Sequence, residues 1–260
     1  MLANLNYIKK VLLFDELAST NDHALSLEKA GEPSGTLIRA LKQSQGRGRQ
    51  KRPWFMQEGD LAMSLILRAP NLPPKHLSLM PWLLALASVE ALKEFSIDAR
   101  LKWPNDIVLE SPSGLTHNYC GTYEKIGGVL VENIFKDQKV VASILGLGLN
   151  ILANPTLKQE IPHMSWLTQA RPGFKIQDLW PVLLKKIDEN INNILSPHGN
   201  LDAHKRYLMY CVSIGKQVNI LIGEQQISGQ ALRLNEDGFL VVFDGKKEHI
   251  IYAGEVNFLA

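Results

Sequence analysis

The sequence predicts an α+β protein with one large domain over residues 1–212 and a small β-barrel module over residues 213–260. Two observations carry this prediction. In the large domain, short apolar runs typical of strands alternate with segments whose apolar residues recur at helical spacing. From residue 215 onward, apolar and polar residues alternate at a period of two between turn residues, which is typical of a small antiparallel structure. A chain of 260 residues is long enough for both units.

The elements of the large domain are predicted in order along the chain. A short strand at residues 11–14 precedes Ser19 and Asp22, which have the spacing of a capping box, so a helix is expected over residues 21–31. The other predicted strands are 35–41, 61–68, 107–109, 127–132 and 139–145, and the other predicted helices are 78–95, 179–195 and 202–210.

The small module is predicted to contain four strands. Hairpin signals at Gly223, Asp237-Gly238 and Asp244-Gly245 separate its alternating segments. The predicted strands are 218–222, 226–234, 239–243 and 248–252.

Composition excludes several classes of function. The net charge is only +2, and residues 213–260 hold four Lys or Arg against six Asp or Glu, so a general nucleic-acid-binding protein is not indicated. The longest apolar run, residues 80–92, is too short to cross a bilayer, and residues 1–10 lack the apolar segment of a secretory signal. Cys120 and Cys211 form no CxxC pattern. We therefore expect a soluble, cytoplasmic protein that does not enter a membrane.

The segment QGRGRQKRPW, residues 45–54, holds four cations, two glycines and no acidic residue. Glycine permits close backbone approaches, and arginine presents a planar charged fork that suits a carboxylate or a phosphate. Taken alone, such a run is most often a solvated surface loop, with nucleic-acid binding and a small-anion site as the alternatives. The segment alone does not choose among them.

Two further motifs narrow the choice. In KWPND, residues 102–106, a lysine ends a strand just before a proline-stiffened turn, where its ammonium can meet a phosphate as a point charge. Lys-Trp alone would be a surface lysine beside a core tryptophan. GLGLN, residues 146–150, lacks the third glycine and the following helix of a dinucleotide-binding fingerprint, so it is interpreted as a pocket wall or a sheet edge. His117 and Cys120 lack a second ligand pair, and no metal site is predicted.

Together these motifs resemble those of the biotin–protein ligases. Five segments occur in the order and approximate spacing of that family, and the combination of GRGR with KWPND is highly specific. The segments are Ser19-Thr20-Asn21, Gln43 with GRGR at 46–49 and Trp54, KWPND at 102–106, GGVLVE at 127–132 and GLGLN at 146–150. The resemblance covers residues 11–260. It implies a mixed-sheet catalytic domain of the biotin/lipoate ligase type and a C-terminal SH3-like β-barrel.

The resemblance also implies an ATP-dependent ligase that activates biotin as biotinyl-5′-AMP. The enzyme would then transfer the biotinyl group to a lysine of a biotin carboxyl carrier protein domain in a biotin-dependent carboxylase. The implied substrates are biotin and ATP with Mg²⁺. Arg49 and Lys102 would be catalytic. The implied biotin-binding residues are Ser19, Thr20, Asn21, Gln43, Gly46, Arg47, Gly48, Arg49, Lys102 and Gly128. The implied nucleotide-binding residues are Arg52 on the pyrophosphate, Trp54 on the adenine, and Asn150.

Two features depart from the family pattern. Relatives commonly carry glycine where Lys51 stands and a basic residue where Pro53 stands, so the segment at 45–54 is expected to be stiffer here. The loop at 110–125 is longer than usual. Some relatives also carry an N-terminal winged-helix domain and repress biotin genes. Because the first strand begins near residue 11, we expect no such domain and no sequence-specific DNA binding.

Three other functions stay open at this point. The first is a lipoate or octanoate ligase of the same fold, although its apolar substrate has no ureido group for Ser19, Thr20 and Gln43 to bind. The second is a nucleic-acid-binding module. The third is a catalytically silent regulator with this fold, which the presence of Arg49 and Lys102 makes less favourable.

Overall fold

The computed structural model describes residues 4–68, 74–114, 116–196 and 198–259, and it confirms the α+β fold class. The helices are α1 (Thr20–Lys29), α2 (Met80–Lys93), α3 (Pro155–Glu160), α4 (Leu167–Ala170), α5 (Ile176–Leu195) and α6 (Gly199–Tyr210). The strands of a larger sheet are β1 (Lys10–Leu17), β2 (Thr36–Gln43), β3 (Leu61–Leu67), β4 (Arg100–Lys102), β5 (Asp106–Glu110), β6 (Tyr123–Lys136) and β7 (Lys139–Leu149). The strands of a smaller sheet are β8 (Gln217–Ile222), β9 (Gln225–Leu234), β10 (Leu240–Phe243), β11 (Glu248–Ile251) and β12 (Glu255–Phe258).

The larger sheet has seven strands in the order β1-β2-β3-β7-β6-β5-β4. β1 and β2 are parallel and the other neighbouring pairs are antiparallel, so the sheet is mixed, as the resemblance implies. β7 lies between β3 and β6, which places the GLGLN segment in the centre of the sheet. The interpretation of this segment as a sheet edge is therefore wrong.

Helices pack on both faces of the larger sheet. One face packs against α2, whose side chains are almost all buried, and against the apolar stripe of α5. α1 covers the other face, where Ala24 packs with Ile38, Ile66 and Ile144. This arrangement explains why β3, with the sequence LAMSLIL, is buried along its whole length instead of alternating.

The start of α1 confirms one sequence signal. α3 overturns the expectation that no helix follows GLGLN, because Asn154 and Pro155 begin this helix instead of preventing it. Ser19 is the N-cap of α1, and its hydroxyl accepts a hydrogen bond from the backbone N–H of Asp22 at 3.3 Å. α3 begins with Pro155 after Asn154, whose side chain accepts from the backbone N–H of Leu157 at 3.0 Å. Asn followed by Pro is a good start for a short helix.

The smaller sheet has the strand order β11-β10-β9-β8-β12 and is antiparallel throughout. The four predicted strands are confirmed, and the structure adds a fifth strand, β12, that was not predicted. Gly223, Gly238 and Gly245 adopt positive φ angles of 59°, 79° and 92° at the predicted turns. Over the described residues no ladder joins β11 to β12, so we describe this module as a five-stranded sheet and not as a closed barrel.

The smaller sheet packs directly against the KWPND turn. The backbone N–H of Trp103 donates to the hydroxyl of Ser213, and its indole Nε1 donates to the carbonyl of Gly238, each at 3.0 Å. Trp103 is buried. The backbone N–H of Phe258 donates to the carbonyl of Asn118 at 2.6 Å. The module is therefore positioned beside the motif that ends β4.

The loop between β5 and β6 is shorter than the sequence predicts. β6 begins at Tyr123, not at residue 127, so the connection spans residues 111–122. We call residues 111–122 the insert loop; the structure describes all of it except Leu115.

Candidate active site

A cavity of about 450 Å³ brings the sequence motifs together. The strands β6 and β7 form its wall, so the interpretation of GLGLN as a pocket wall is supported. Every predicted site residue except Gly46 lines it. These residues are Ser19, Thr20, Asn21, Gln43, Arg47, Gly48, Arg49, Arg52, Trp54, Lys102, Gly128 and Asn150. Gly46 lies immediately behind, where its carbonyl accepts from the backbone N–H of Trp54 at 2.8 Å.

One end of the cavity is lined by the neutral polar residues Ser19, Thr20, Asn21 and Gln43. We call these four, together with the fully buried Ser64 that is bonded to two of them, the polar end. The side chains of Ser19, Thr20 and Asn21 are buried at the start of α1. Gln43 Oε1 accepts from the backbone N–H of Thr20 at 2.7 Å, which turns the two N–H donors of its amide toward the cavity. The hydroxyl of Ser64 lies 2.8 Å from Thr20 Oγ1 and 2.5 Å from Asn21 Oδ1. The polar end is therefore held in place by its own hydrogen bonds.

Two glycines of β7 allow close approaches that a larger residue would prevent. A Cβ atom at Gly146 would lie 2.2 Å from Asn21 Oδ1, and one at Gly148 would lie 2.5 Å from the indole ring of Trp54. Residues 146 and 148 lie on the same face of β7, so the two glycines let α1 and Trp54 approach neighbouring points of that face.

Residues 45–54, which we call the flap, form a short hairpin over the cavity. The backbone N–H of Gly48 donates to the carbonyl of Arg52 at 2.8 Å. At its tip, Gln50 and Lys51 adopt left-handed φ angles of 55° and 59°. Glycine adopts this conformation without strain, whereas a lysine does not. Lys51 therefore occupies a position whose backbone suits the glycine that the family pattern carries there.

Arg47 pairs with two carboxylates. Its Nη2 lies 2.5 Å from Asp22 Oδ1 and 2.8 Å from Glu132 Oε2. The hydrogen bond with Arg47 is the main reason that the pKa of Asp22 lies below its ordinary value. Glu132 also accepts from the side-chain amide of Asn21 at 2.9 Å. The charge of Arg47 is thus balanced within the protein, and its side chain closes the cavity next to the polar end.

The other cations line the opposite end, and we call Arg49, Arg52, Lys102 and Lys125 the charged end. Arg49 donates to Asn105 Oδ1 at 3.0 Å, and its burial lowers its pKa. Arg52 extends to the smaller sheet, where its Nη2 lies 2.5 Å from Glu255 Oε2. The flap therefore contacts both the KWPND turn and the C-terminal module.

Lys102 lies in the floor of the charged end and is 2% exposed. Its ammonium is 3.5 Å from the ring centroid of Tyr119, which is a cation–π contact. Burial lowers the pKa of Lys102 to about 8. The residue is therefore charged at neutral pH and close to its titration.

Asp106, the last residue of KWPND, joins Lys125 and Tyr119. Lys125 Nζ lies 2.6 Å from Asp106 Oδ1, and the Tyr119 hydroxyl donates to Asp106 Oδ2 at 2.5 Å. Burial alone raises the pKa of Asp106, but the positive charges of Lys125 and Lys102 outweigh it and bring the pKa to about 2. Asp106 is thus a carboxylate whose two oxygens both have partners.

Asn150 is buried at the end of the cavity wall. Its Nδ2 donates to the carbonyl of Ser165 at 3.0 Å, which leaves Oδ1 as the acceptor that can meet a ligand. Trp54 lies nearby over Gly148, and its ring centroid is 5.6 Å from Lys125 Nζ.

With this geometry established, comparison with known proteins is informative. The family described as "Biotin/lipoate A/B protein ligase family" matches residues 13–150, which is more than half of the 260 residues. The chain belongs to this family. A second family, "Biotin protein ligase C terminal domain", matches residues 213–259, the segment of the smaller sheet.

Individual relatives support this family membership. The chain is 33% identical to "Biotin--[acetyl-CoA-carboxylase] ligase" of Paracoccus denitrificans, over 92% of this chain and 97% of the relative. It is 28% identical to "Bifunctional ligase/repressor BirA" of Bacillus subtilis, over 95% of this chain and 73% of the relative. The structure is similar to "Biotin protein ligase from Aquifex aeolicus in complex with biotin and ATP", with a TM-score of 0.79, 26% identity and coverage of 96% of this chain and 99% of the other.

Five residues at or beside the cavity were not predicted from the sequence as site residues. Ser64, Tyr119 and Glu255 contact Asn21, Lys102 and Arg52, respectively. Lys125 lies beside Trp54, and Asp106 is the ladder partner of Lys102 and is bound by Lys125 and Tyr119. Ser64 is a lone polar residue in the apolar run LAMSLIL, which is a usable signal. Tyr119 and Glu255 come from distant segments, and only the tertiary structure shows where they lie.

The described residues contain no group of three or more His, Cys, Asp or Glu residues arranged to hold a metal ion. Among them, no helix has the length and apolar character needed to cross a bilayer.

Proposed function

We propose that this protein is an ATP-dependent biotin–protein ligase. In the first step the biotin carboxylate attacks the α-phosphorus of ATP, which forms biotinyl-5′-AMP and releases pyrophosphate. In the second step the amine of a lysine on a carboxylase carrier domain attacks the biotinyl carbonyl and releases AMP. One observation carries the proposal: a single cavity joins a neutral, hydrogen-bonding end to an end lined by four cations.

The polar end suits the ureido ring of biotin. This ring is uncharged and has two N–H donors and one strong carbonyl acceptor, all of which need partners once buried. The hydroxyls of Ser19 and Thr20 are available as acceptors, and the free amide N–H groups of Gln43 can donate to the carbonyl. Apolar contacts for the valeryl chain come from Gly128, Val129 and Leu147 on the neighbouring wall. We propose that Gly46 and Arg47 contribute here through their backbone, since the Arg47 side chain is already paired with two carboxylates.

The charged end suits two anions that must approach one another. A carboxylate and a triphosphate repel each other unless cations lie between them, and fixed cations stabilise the charge that develops on the phosphoryl oxygens. We propose that Arg49 and Lys102 perform this task as the catalytic residues and that Lys125 assists them. Arg52 would bind the departing pyrophosphate, which requires it to exchange Glu255 for the phosphate.

The nucleotide is proposed to bind along the wall formed by Trp54 and Asn150, with the adenine stacked on the Trp54 indole and Asn150 Oδ1 as an acceptor. We propose that Mg²⁺ enters as part of MgATP, because phosphates can supply most of its oxygen ligands. The carboxylates that line the cavity, Asp106 and Glu255, are already paired with Lys125 and Arg52.

We propose residues 1–212 as the catalytic domain and 213–260 as a module that positions ATP or the carrier domain. The two separate sheets support this division. Gly254 and Glu255 line the cavity, which supports the positioning role of the module.

A lipoate ligase is the second candidate, because the matching family includes lipoate enzymes. Lipoate has no ureido group, so it would leave the donors and acceptors of the polar end unpaired when they are buried. Each unpaired group costs about 1–3 kcal/mol, so biotin is favoured.

Pyrophosphate exchange tests the proposal. With MgATP and labelled pyrophosphate, the purified protein is expected to incorporate label into ATP when biotin is added and not when lipoate is added. Adding a purified carboxylase carrier domain should then yield a biotinylated carrier, detected with streptavidin, and a carrier whose target lysine is replaced by arginine is the control. Exchange with lipoate alone would contradict the proposal.

A further inference from the structure

The insert loop brings Tyr119 into the charged end, although this residue belongs to none of the sequence motifs. The ring face of Tyr119 meets the ammonium of Lys102, and its hydroxyl donates to Asp106. The ring also stacks on His163, with centroids 4.2 Å apart and an angle of 19° between the planes. One side chain therefore contacts both the first and the last residue of KWPND.

The contact with Asp106 determines what Lys102 can pair with. Lys102 and Asp106 are direct partners across the β4–β5 ladder, so a buried lysine stands next to a half-buried carboxylate. Lys125 takes one carboxylate oxygen and the Tyr119 hydroxyl takes the other. Both carboxylate oxygens of Asp106 thus have partners. Among the described residues, no ion pair within 4.0 Å joins Asp106 to Lys102.

An unpaired ammonium is what adenylation needs. A cation stabilises developing phosphoryl charge most when it is held in place and not already neutralised by a nearby carboxylate. A Lys102–Asp106 ion pair would have to be broken before Lys102 could reach the substrate. The π face of an aromatic ring, in contrast, attracts the ammonium without removing its charge.

We propose that Tyr119 is a positioning residue for adenylation, which holds Lys102 through its ring and keeps Asp106 from pairing with it. This inference rests on the proposed ligase function and extends it to the insert loop, which belongs to none of the sequence motifs. Tyr119 acts on the reaction through Lys102.

The surroundings of Lys102 allow a pH test. The charged and titratable groups that face it are Asp106 on β5, Tyr119 and Cys120 on the insert loop, Lys125 on β6, His163 before α4 and Glu255 on β12. Burial raises the pKa of Tyr119 and of Cys120, and it lowers the pKa of His163 to about 4, so all three are neutral near pH 7. Asp106 is the carboxylate that a change at Tyr119 would release.

The decisive variant is Tyr119→Phe, which keeps the ring and frees Asp106 Oδ2. Because burial lowers the pKa of Lys102 to about 8, exchange activity that needs a protonated Lys102 should fall as the pH rises through this value in the unaltered protein. In Tyr119→Phe the freed carboxylate stabilises the ammonium, so this alkaline limb should move up by about one pH unit. At pH 7 kcat should fall about tenfold because Lys102 is diverted from the substrate. The KM for biotin should not change.

Two controls separate positioning from general damage. Tyr123→Phe removes a hydroxyl from the start of β6, outside the cavity lining, and should leave both kcat and the alkaline limb unchanged. In an Asp106→Asn background, Tyr119→Phe should cause no further movement of the limb, because no carboxylate remains to be released. A movement that persists in this background would overturn the proposal.

The remaining outcomes also discriminate. Wild-type kcat and an unmoved limb in Tyr119→Phe would overturn the proposal, and so would an equal loss at every pH. If the unaltered protein shows no biotin-dependent exchange, the ligase function fails as well. Following the Lys102 side chain by NMR across the same pH range gives the shift without turnover, so a variant of low activity remains a test.

Discussion

The polar end and the charged end of the cavity are built in opposite ways. The polar groups come from the start of α1, the end of β2 and the middle of β3, and they are hydrogen-bonded to one another. The cations come from the flap, β4 and β6, and their partners include the insert loop and the smaller sheet. The polar end is therefore held mainly by hydrogen bonds among its own members, whereas the cations of the charged end are held by partners outside their own group.

The difference follows from what each end has to bind. Neutral hydrogen-bonding groups can be held by one another and still present their remaining donors and acceptors to a ligand. Cations that act on a substrate must keep their charge available, so they cannot all be neutralised by neighbouring carboxylates. Arg47 shows the contrast, because its two carboxylate partners give it a structural position between the two ends.

The largest expected effect comes from removing the cation in the floor of the charged end. Lys102→Ala should lower biotin-dependent exchange about 10²–10³-fold, because a preorganised positive charge is lost from the reacting centre. Biotin should still stabilise the variant against thermal unfolding, since the polar end is intact. Lys42→Ala, at an exposed lysine of β2, is the matched control. Wild-type exchange in Lys102→Ala would show that the charged end does not act through this residue.

A smaller loss is expected when the wall between the two ends is altered. In Gly148→Ala the new Cβ would lie 2.5 Å from the Trp54 ring, which must then move. If adenine stacks on that ring, the KM for ATP should rise about tenfold, within the range of base–aromatic stacking energies, while the KM for biotin stays constant. In a Trp54→Ala background the same substitution should have little further effect. An equal rise in the KM for ATP in both backgrounds would show that the adenine does not stack on Trp54.

Disturbing the polar end should give a moderate effect that is confined to biotin. Ser64→Ala removes the hydroxyl that links Thr20 and Asn21 inside β3. The cost of leaving these groups unpaired is about 1–3 kcal/mol, so the KM for biotin should rise by roughly tenfold with little change in the KM for ATP. Ser143→Ala removes another hydroxyl that is bonded to an amide, Asn133, and serves as the control outside the cavity. Equal effects on both substrates would contradict the separation of the two ends.

The smallest effect is expected at the tip of the flap. Lys51→Gly should raise the free energy of unfolding by about 1 kcal/mol, since glycine tolerates the left-handed φ of 59° without strain. Lys51→Ala removes the same side chain without that freedom and should give no such gain. Urea denaturation of the two variants measures the difference. Equal stabilities would show that the backbone at Lys51 carries no strain.

The residues that the sequence predicts are those in contiguous motifs, and these motifs supply residues to both ends of the cavity. Contiguous motifs such as Ser19-Thr20-Asn21 and GRGR define local structure, and the fold carries nearly all of their residues into one cavity. Lys125 is missed because the sequence does not show the register between β5 and β6. That register pairs Asp106 with Gly128 and brings Lys125 within ion-pair distance of Asp106. Tyr119 and Glu255 are missed because a loop and a second sheet bring them in. A contact between two residues that are far apart in the sequence leaves no periodic pattern in either segment.

The burial of Trp103 has a consequence for how the whole chain unfolds. Both of its hydrogen-bond donors are satisfied by groups at the start and in the middle of the C-terminal segment, Ser213 and Gly238. If that segment detached, two buried donors next to the reactive lysine would lose their partners, and each loss is costly. We therefore expect the two sheets to melt in one cooperative transition. The C-terminal module would then be required for the folding of the segment around Lys102, as well as being packed against it.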